Sequence, residues 1–285
     1  MKLELISCYQ MLAATSKHHE AKIVTHTPRK RFGQNFLVDH HSIDGIIAAI
    51  NPQPGQHILE IGPGQGALTK PLVSSGATID AVEIDRDLAQ HLEQKFSKNK
   101  NFTLHTEDIL KFSILNLIPE RKSHKLRVVG NLPYNISTPL MFKLFSDIDV
   151  ISDMYFMLQR EVALRLIAQP NTKDYGRMSV MAQYYCKMQI VLEIPPTAFS
   201  PQPKVDSCIV HFMPHPLPVA DVTDHALLQD IVTNAFSHRR KTIHNSLKNF
   251  ITSAELSTLQ IDPQLRAENL RLIDYTKIAN YLTRH

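Results

Sequence analysis

From residue 57 to residue 168 the chain alternates between short apolar runs and longer amphipathic stretches. The runs 57–61, 78–84, 102–106, 126–130 and 152–158 have the length and composition of strands, and 66–74, 86–97, 137–146 and 160–168 fit helices between them. Alternation of this kind argues for a mostly parallel sheet with helices on both faces. Ligands of such sheets bind outside the carboxyl ends of the strands. The residues that close each strand pattern are therefore the informative ones.

The first strand pattern, His57-Ile58-Leu59-Glu60-Ile61, runs into Gly62-Pro63-Gly64-Gln65-Gly66. Glycines between a strand and a helix let a ligand approach the backbone closely. The spacing is G-x-G-x-G, not the G-x-G-x-x-G of a dinucleotide fingerprint, and Pro63 argues against a pyrophosphate cradle. Glu60 adds a carboxylate that suits a cationic ligand better than an anionic one. The second strand pattern ends in Glu83-Ile84-Asp85, and Glu83 comes 21 residues after Gly62. At that distance an acidic side chain can hydrogen-bond the hydroxyls of a ribose. The third ends in Glu107-Asp108, where Asp108 is placed to accept from an adenine amino group.

The fourth ends in Asn131-Leu132-Pro133-Tyr134. Asn-x-Pro is also ordinary turn chemistry. Here, however, an amide, a backbone carbonyl, a rigid ring and an aromatic face stand together at a strand end. The Asn131 side-chain oxygen and the Leu132 carbonyl can each accept one N–H of an exocyclic amine. Pro133 fixes φ and removes a competing donor, and Tyr134 offers a face on which a base can stack.

Taken together, these residues resemble the S-adenosylmethionine-dependent methyltransferases and, more narrowly, the ribosomal RNA adenine N6-dimethyltransferases of the KsgA family. Further stretches carry the resemblance. Pro28-Arg29-Lys30-Arg31-Phe32-Gly33-Gln34-Asn35-Phe36-Leu37 is similar to the family's amino-terminal signature. Asn131 to Tyr134, continued by Asn135-Ile136-Ser137-Thr138-Pro139, is similar to its catalytic motif. Phe199-Ser200-Pro201-Gln202-Pro203-Lys204-Val205-Asp206-Ser207 is similar to its target-base loop, and His238-Arg239-Arg240-Lys241-Thr242 to its basic carboxy-terminal helix. The match begins near Pro28 and runs to the end of the chain.

The resemblance implies an α/β fold: a Rossmann-like class I methyltransferase with a mostly parallel seven-stranded sheet, plus a small all-α carboxy-terminal domain. The last two strand patterns, 189–194 and 207–213, then form an antiparallel hairpin at the sheet edge, preceded by a helix near 178–186. After Pro214-His215-Pro216-Leu217-Pro218 only helical patterns remain, at 222–236, 239–250, 253–258, 263–268 and 274–283. The expected division is an extension over 1–27, a methyltransferase domain over 28–214 and a helical RNA-binding domain over 215–285.

It implies a site as well. The cofactor is S-adenosylmethionine, held by Asn35, Leu37, Gly62, Gly64, Glu83, Asp108 and Asn131. The catalytic set is Asn131, Leu132, Pro133, Tyr134 and Phe199, with Phe199 and Tyr134 holding a splayed-out adenine from opposite sides. RNA phosphates fall to Arg29, Lys30, Arg31, Arg239, Arg240, Lys241 and Lys248. If 239–250 is helical, Arg240, His244 and Lys248 line up at i, i+4 and i+8 as a basic stripe.

Composition agrees without deciding. Net charge is +4 and pI about 8.9, mildly basic and compatible with an acidic partner. Cys8, Cys186 and Cys208 form no C-x-x-C pair, which points away from disulfides or structural zinc and towards a reducing compartment. No ligand spacing calls for a metal, and no apolar run approaches the ~20 residues that span a membrane. The expected protein is a cytoplasmic monomer acting on 16S ribosomal RNA in the small (30S) subunit or its precursor. A resistance-type enzyme acting on large-subunit RNA and a ribosome-assembly factor whose methylation is secondary remain open. A nicotinamide oxidoreductase is disfavoured by the glycine spacing.

Overall fold

A computed structural model describes residues 34–118, 125–132, 136–216 and 221–284. The extension over 1–27, together with Arg29, Lys30, Arg31, Pro133 and Tyr134, lies outside the described residues. A two-residue strand, β1 (Phe36–Leu37), is followed by α1 (His40–Ile50), whose Asp39 cap accepts from the Ser42 N–H at 2.8 Å. Strands and helices then alternate as β2 (His57–Ile61), α2 (Thr69–Ser74), β3 (Thr78–Val82), α3 (Arg86–Phe96), β4 (Phe102–His105), β5 (Leu126–Asn131), α4 (Ser137–Ser146), β6 (Ile151–Gln159) and α5 (Arg160–Ile167). Next come α6 (Arg177–Tyr185), β7 (Cys186–Ile194), the short β8 (Phe199–Ser200) and β9 (Ser207–Pro214).

Seven strands make one sheet in the order β4-β3-β2-β5-β6-β9-β7. β9 alone runs antiparallel to its neighbours, so the expected hairpin of β7 and β9 closes one edge. The order reverses at β2, flanked by β3 and β5, and the crevice a ligand needs opens there. The period-two pattern explains both faces. Leu59, Ile61, Val82 and Val128 pack on one side with α4, while Ile58, Ile79 and Val129 pack on the other with α1 and α2. Each such side chain contributes roughly 1.5–3 kcal/mol on burial.

β2 and β5 approach so closely that a Cβ on Gly130 would sit 2.7 Å from the Ile61 carbonyl oxygen. Glycine is thus required one residue before Asn131.

The carboxy-terminal part contains α7 (His225–Ser237), α8 (Ile243–Ser246), α9 (Ser253–Thr258) and α10 (Leu272–Arg284). Two helix expectations are corrected here. The 239–250 pattern forms only the four-residue α8, because Thr242 bridges Arg266 and the Ile243 N–H donates to the Leu265 carbonyl at 2.6 Å. The 263–268 pattern gives a single 3₁₀ turn at Ala267–Asn269. The core of this part also reaches back across residue 215. Tyr175, Val180, Met181 and Tyr184, on and next to α6, are buried in one cluster with Leu228, Ile231 and Val232 of α7 and Tyr275 and Ile278 of α10.

Candidate active site

The turn after β2 is left-handed at both glycines the sequence singles out, with φ of +65° at Gly62 and +58° at Gly64. Side chains rarely adopt that region. A Cβ on Gly64 would also press to 3.3 Å from the Phe36 ring. The Gly64 N–H donates to Glu83 Oε2 at 3.2 Å, and the Asp85 N–H donates to Glu83 Oε1 at 2.9 Å. Glu83 therefore ties the glycine turn to the start of α3. Burial raises its pKa, opposed by these two N–H donors. Asp85, itself buried, caps α3 and accepts from Gln34 Nε2 at 3.3 Å.

Glu60, the last-but-one residue of β2, is fully enclosed. One of its carboxylate oxygens, Oε2, has no hydrogen-bond partner. Burial, helped by the nearby Glu83 charge, pushes its pKa up to about 7, while the Thr69 hydroxyl opposes the rise without completing a bond to Oε2. A buried carboxylate with an unpartnered oxygen beside a glycine turn is complementary to a cation.

At the end of β5, Asn131 Nδ2 donates to the Asn35 carbonyl at 3.3 Å. A carbonyl only accepts, so this contact assigns the accepting role to Asn131 Oδ1. Asn35 is held by pairing the sequence did not foretell. β1 and β8 form a two-stranded antiparallel sheet with Leu37 opposite Phe199 and Phe36 opposite Ser200. The segment carrying Asn35 to Val38 and the stretch carrying Ala198 to Ser200 are thus one structural unit, with the Val38 N–H also donating to the Ala198 carbonyl at 2.9 Å. Two-residue strands leave no periodicity to read.

These pieces surround one cavity of about 330 Å³, within the usual range for small-ligand sites. Asn35, Leu37, Gly62, Gly64, Glu83 and Asp108 all line it, and so do Asn131, Leu132 and Phe199. Asp108 accepts from the Leu110 N–H at 3.0 Å. Three contributors were not singled out from sequence. Ile84, 49% exposed, lines the cavity with its apolar side chain. Met157, directly opposite Asn131 on β6, also lines it, but sits in an undifferentiated apolar run. Lys95 Nζ reaches from α3 to donate to the Gln65 carbonyl in the glycine turn at 3.2 Å. That contact joins residues 30 apart in sequence, and no local pattern marks it.

The basic residues separate. Arg240, Lys241 and Lys248 are exposed, but α8 spans neither Arg240 nor Lys248, so the helical stripe does not form. Arg239 is engaged within the protein. Its Nη2 donates to the carbonyls of Lys173 at 2.9 Å and Tyr175 at 3.1 Å and pairs with Glu268 at 3.0 Å. It clamps the loop after α5 to the helical part.

A family model described as ribosomal RNA adenine dimethylase matches residues 25–284. The ribosomal RNA small subunit methyltransferase A of Yersinia pestis (strain Pestoides F) is 53% identical over 261 residues, covering 90% of this chain and 94% of the relative. The protein of that name from Yersinia pseudotuberculosis serotype O:1b (strain IP 31758) matches to the same extent. Among solved structures, the 23S rRNA methyltransferase ErmE is 25% identical with a TM-score of 0.65, over 87% of this chain and 100% of that one. A dimethyladenosine transferase from Plasmodium falciparum shares the fold with a TM-score of 0.74 at 24% identity, over 87% and 98% of the two chains.

Proposed function

This chain belongs to the ribosomal RNA adenine dimethylase family, and on that premise we propose that it dimethylates N6 of two adjacent adenosines near the 3′ end of 16S ribosomal RNA in the small subunit. It is an S-adenosylmethionine-dependent methyltransferase acting on ribosomal RNA adenine. The observation that carries the reading is the meeting of Asn131, Glu83 and Phe199, from three distant parts of the sequence, on one cavity.

The residues fit the cofactor. Gly62 and Gly64 would admit its methionine end, Asn35 and Leu37 would close over it, and Glu83 and Asp108 would hold its ribose and adenine. Glu60 offers the unpaired carboxylate a cationic ligand would ionise. Bound S-adenosylmethionine supplies an electrophilic methyl group on a positively charged sulfur.

The chain's own work is positioning. Asn131 Oδ1 and the Leu132 carbonyl each accept one hydrogen of the target amine, turning its lone pair towards the methyl group. The amide is pre-set for this by its bond to Asn35. Phe199 and Tyr134 hold the base, offsetting the few kcal/mol that unstacking requires. Leu132 and Phe199 are buried and keep water from the amine. The nitrogen becomes acidic only once alkylated, so no residue has to deprotonate it before attack, and its proton passes to solvent when the methylated base leaves the site. Orientation and exclusion of water supply most of the rate. A second round requires the site to readmit the monomethylated amine.

The 53% identity to small-subunit methyltransferases, against 25% to ErmE, favours the small-subunit substrate. Among the described residues no helix is long and apolar enough to cross a membrane. A ribosomal substrate assigns the enzyme to the cytoplasm. The test is labelled methyl transfer to unmethylated small subunits, large subunits and protein-free RNAs in parallel. Dimethyladenosine confined to small subunits is the expected result. Label on free large-subunit RNA would replace this substrate with the ErmE type. No label anywhere, with cofactor binding intact, would leave an assembly role.

A further inference from the structure

The carboxyl end of β6 opens on a second hollow of about 440 Å³, walled by Gln159, the start of α5, residues 173–174 and residues 204–206. Gln159 lies two residues beyond Met157 on the same face of the strand. Met157 faces Asn131 and lines the first cavity. Met157 and Gln159, one lining each hollow, are therefore roughly 7 Å apart along the strand, the order of one nucleotide step once neighbouring bases are unstacked.

The lining is suited to a nucleotide. Val205, 43% exposed, and the half-buried Leu164 present an apolar floor. Around it stand Lys173, Asp174, Lys204 and Asp206. None of these four charges is used in an ion pair among the described residues, although they share one hollow. Two ammonium groups suit phosphate oxygens, two carboxylates suit an exocyclic amine, and the floor suits the face of a base.

We propose that this hollow holds the second adenosine of the tandem pair while the first occupies the catalytic cavity. The inference rests on the small-subunit substrate reading. Asp206 and Asp174 accept from the N6 amine of the waiting base, and Lys204 and Lys173 take its phosphates. The site thereby selects adenine over guanine. At the same position guanine presents its O6 acceptor, which a carboxylate repels. A dimethylated N6 has no hydrogen left to donate, so the contact is available to the first adenosine modified and lost to the second.

The test is a cycle of two changes on the full chain. Wild-type enzyme and the Asp174→Asn/Asp206→Asn variant are each given small subunits bearing either adenosine or guanosine beside the target. Wild type should lose about tenfold or more in kcat/KM with guanosine, as expected for one misread base edge. The variant should lose severalfold less, because an amide can donate to O6 as well as accept from N6. Lys204→Gln should weaken binding equally for both subunits and lower the salt slope by about one. S-adenosylmethionine binding by each variant checks its fold. A guanosine penalty as large in the variant as in wild type would overturn the proposal, as would a wild type indifferent to the neighbour. No transfer by wild type to unsubstituted small subunits would instead sink the substrate reading, before any variant is compared.

Discussion

Asn131 and Asn35 are joined by a hydrogen bond from the Asn131 amide nitrogen to the Asn35 main-chain carbonyl, at 3.3 Å across 96 residues of sequence. One strand end thereby receives its orientation from a segment that is itself zipped to the Phe199 loop. The Asn131 amide is held by its donor side, which turns its acceptor oxygen away from Asn35.

Asn131→Asp tests this directly. A carboxylate retains an acceptor for the amine but sets an anionic oxygen against the Asn35 carbonyl, so the side chain must turn away. Misplacement on that scale lowers kcat by about 10²-fold. Asn131→Ala should lose at least as much. Calorimetry should show S-adenosylmethionine still binding to both variants. Wild-type turnover by the Asn131→Asp enzyme would remove the positioning role from Asn35.

Glu60 gives a pH dependence whose sign is fixed by its burial. Its pKa is raised from 4.5 to about 7 in the folded protein. Its contribution to stability is therefore fully present below about 4.5 and is lost as pH rises through about 7. A shift of that size corresponds to about 3 kcal/mol. Cofactor-free protein should lose stability across this window in urea titrations, and Glu60→Gln should flatten the loss. Cofactor binding should run the other way. A cation favours the ionised form, so affinity rises as pH climbs towards about 7 in the wild type and not in Glu60→Gln. Identical profiles for the two proteins would remove Glu60 from the cation's surroundings.

Legibility in the sequence followed the range of the interactions. The parallel strands were readable because each is a short local apolar run and each closes on a residue with distinctive chemistry, as at Glu83, Asp108 and Asn131. The β1–β8 pair was not, since Leu37 finds its partner only at Phe199, far along the chain. The basic helix failed for a related reason. The 239–250 pattern has helical spacing, but the long-range bridge between Thr242 and Arg266 keeps Arg239 to Thr242 out of the helix, which begins only at Ile243. Charge alone likewise did not separate Arg239, which is bonded to Lys173, Tyr175 and Glu268, from its neighbours Arg240 and Lys241.

That separation predicts different behaviour from adjacent arginines. Arg240→Ala and Lys241→Ala should each weaken RNA binding and reduce the slope of log affinity against log salt by about one, the signature of a lost phosphate contact. Arg239→Ala should leave the slope unchanged. Its effect should instead be local opening of the loop after α5, read as faster amide exchange around residues 171–176. Arg239→Lys should not restore the loop, because one ammonium cannot reproduce a guanidinium shared among two carbonyls and a carboxylate. A salt slope lowered by Arg239→Ala would make that side chain a phosphate ligand after all.

Gly130→Ala tests how the sheet presents the site. Its added Cβ would lie 2.7 Å from the Ile61 carbonyl oxygen and 3.2 Å from Ile61 Cβ. Backbone oxygen does not swing aside as a side chain does, so β2 and β5 must separate. Overpacking of this kind costs about 1–3 kcal/mol, seen as a lower denaturant midpoint. The displacement is delivered to both halves of the site, because Ile61 leads into the Gly62 turn and Gly130 into Asn131. Cofactor affinity and kcat should therefore fall together, unlike in the Asn131 variants. A Gly130→Ala enzyme that is destabilised yet keeps wild-type affinity and turnover would show that the strand ends move independently of the strands that carry them.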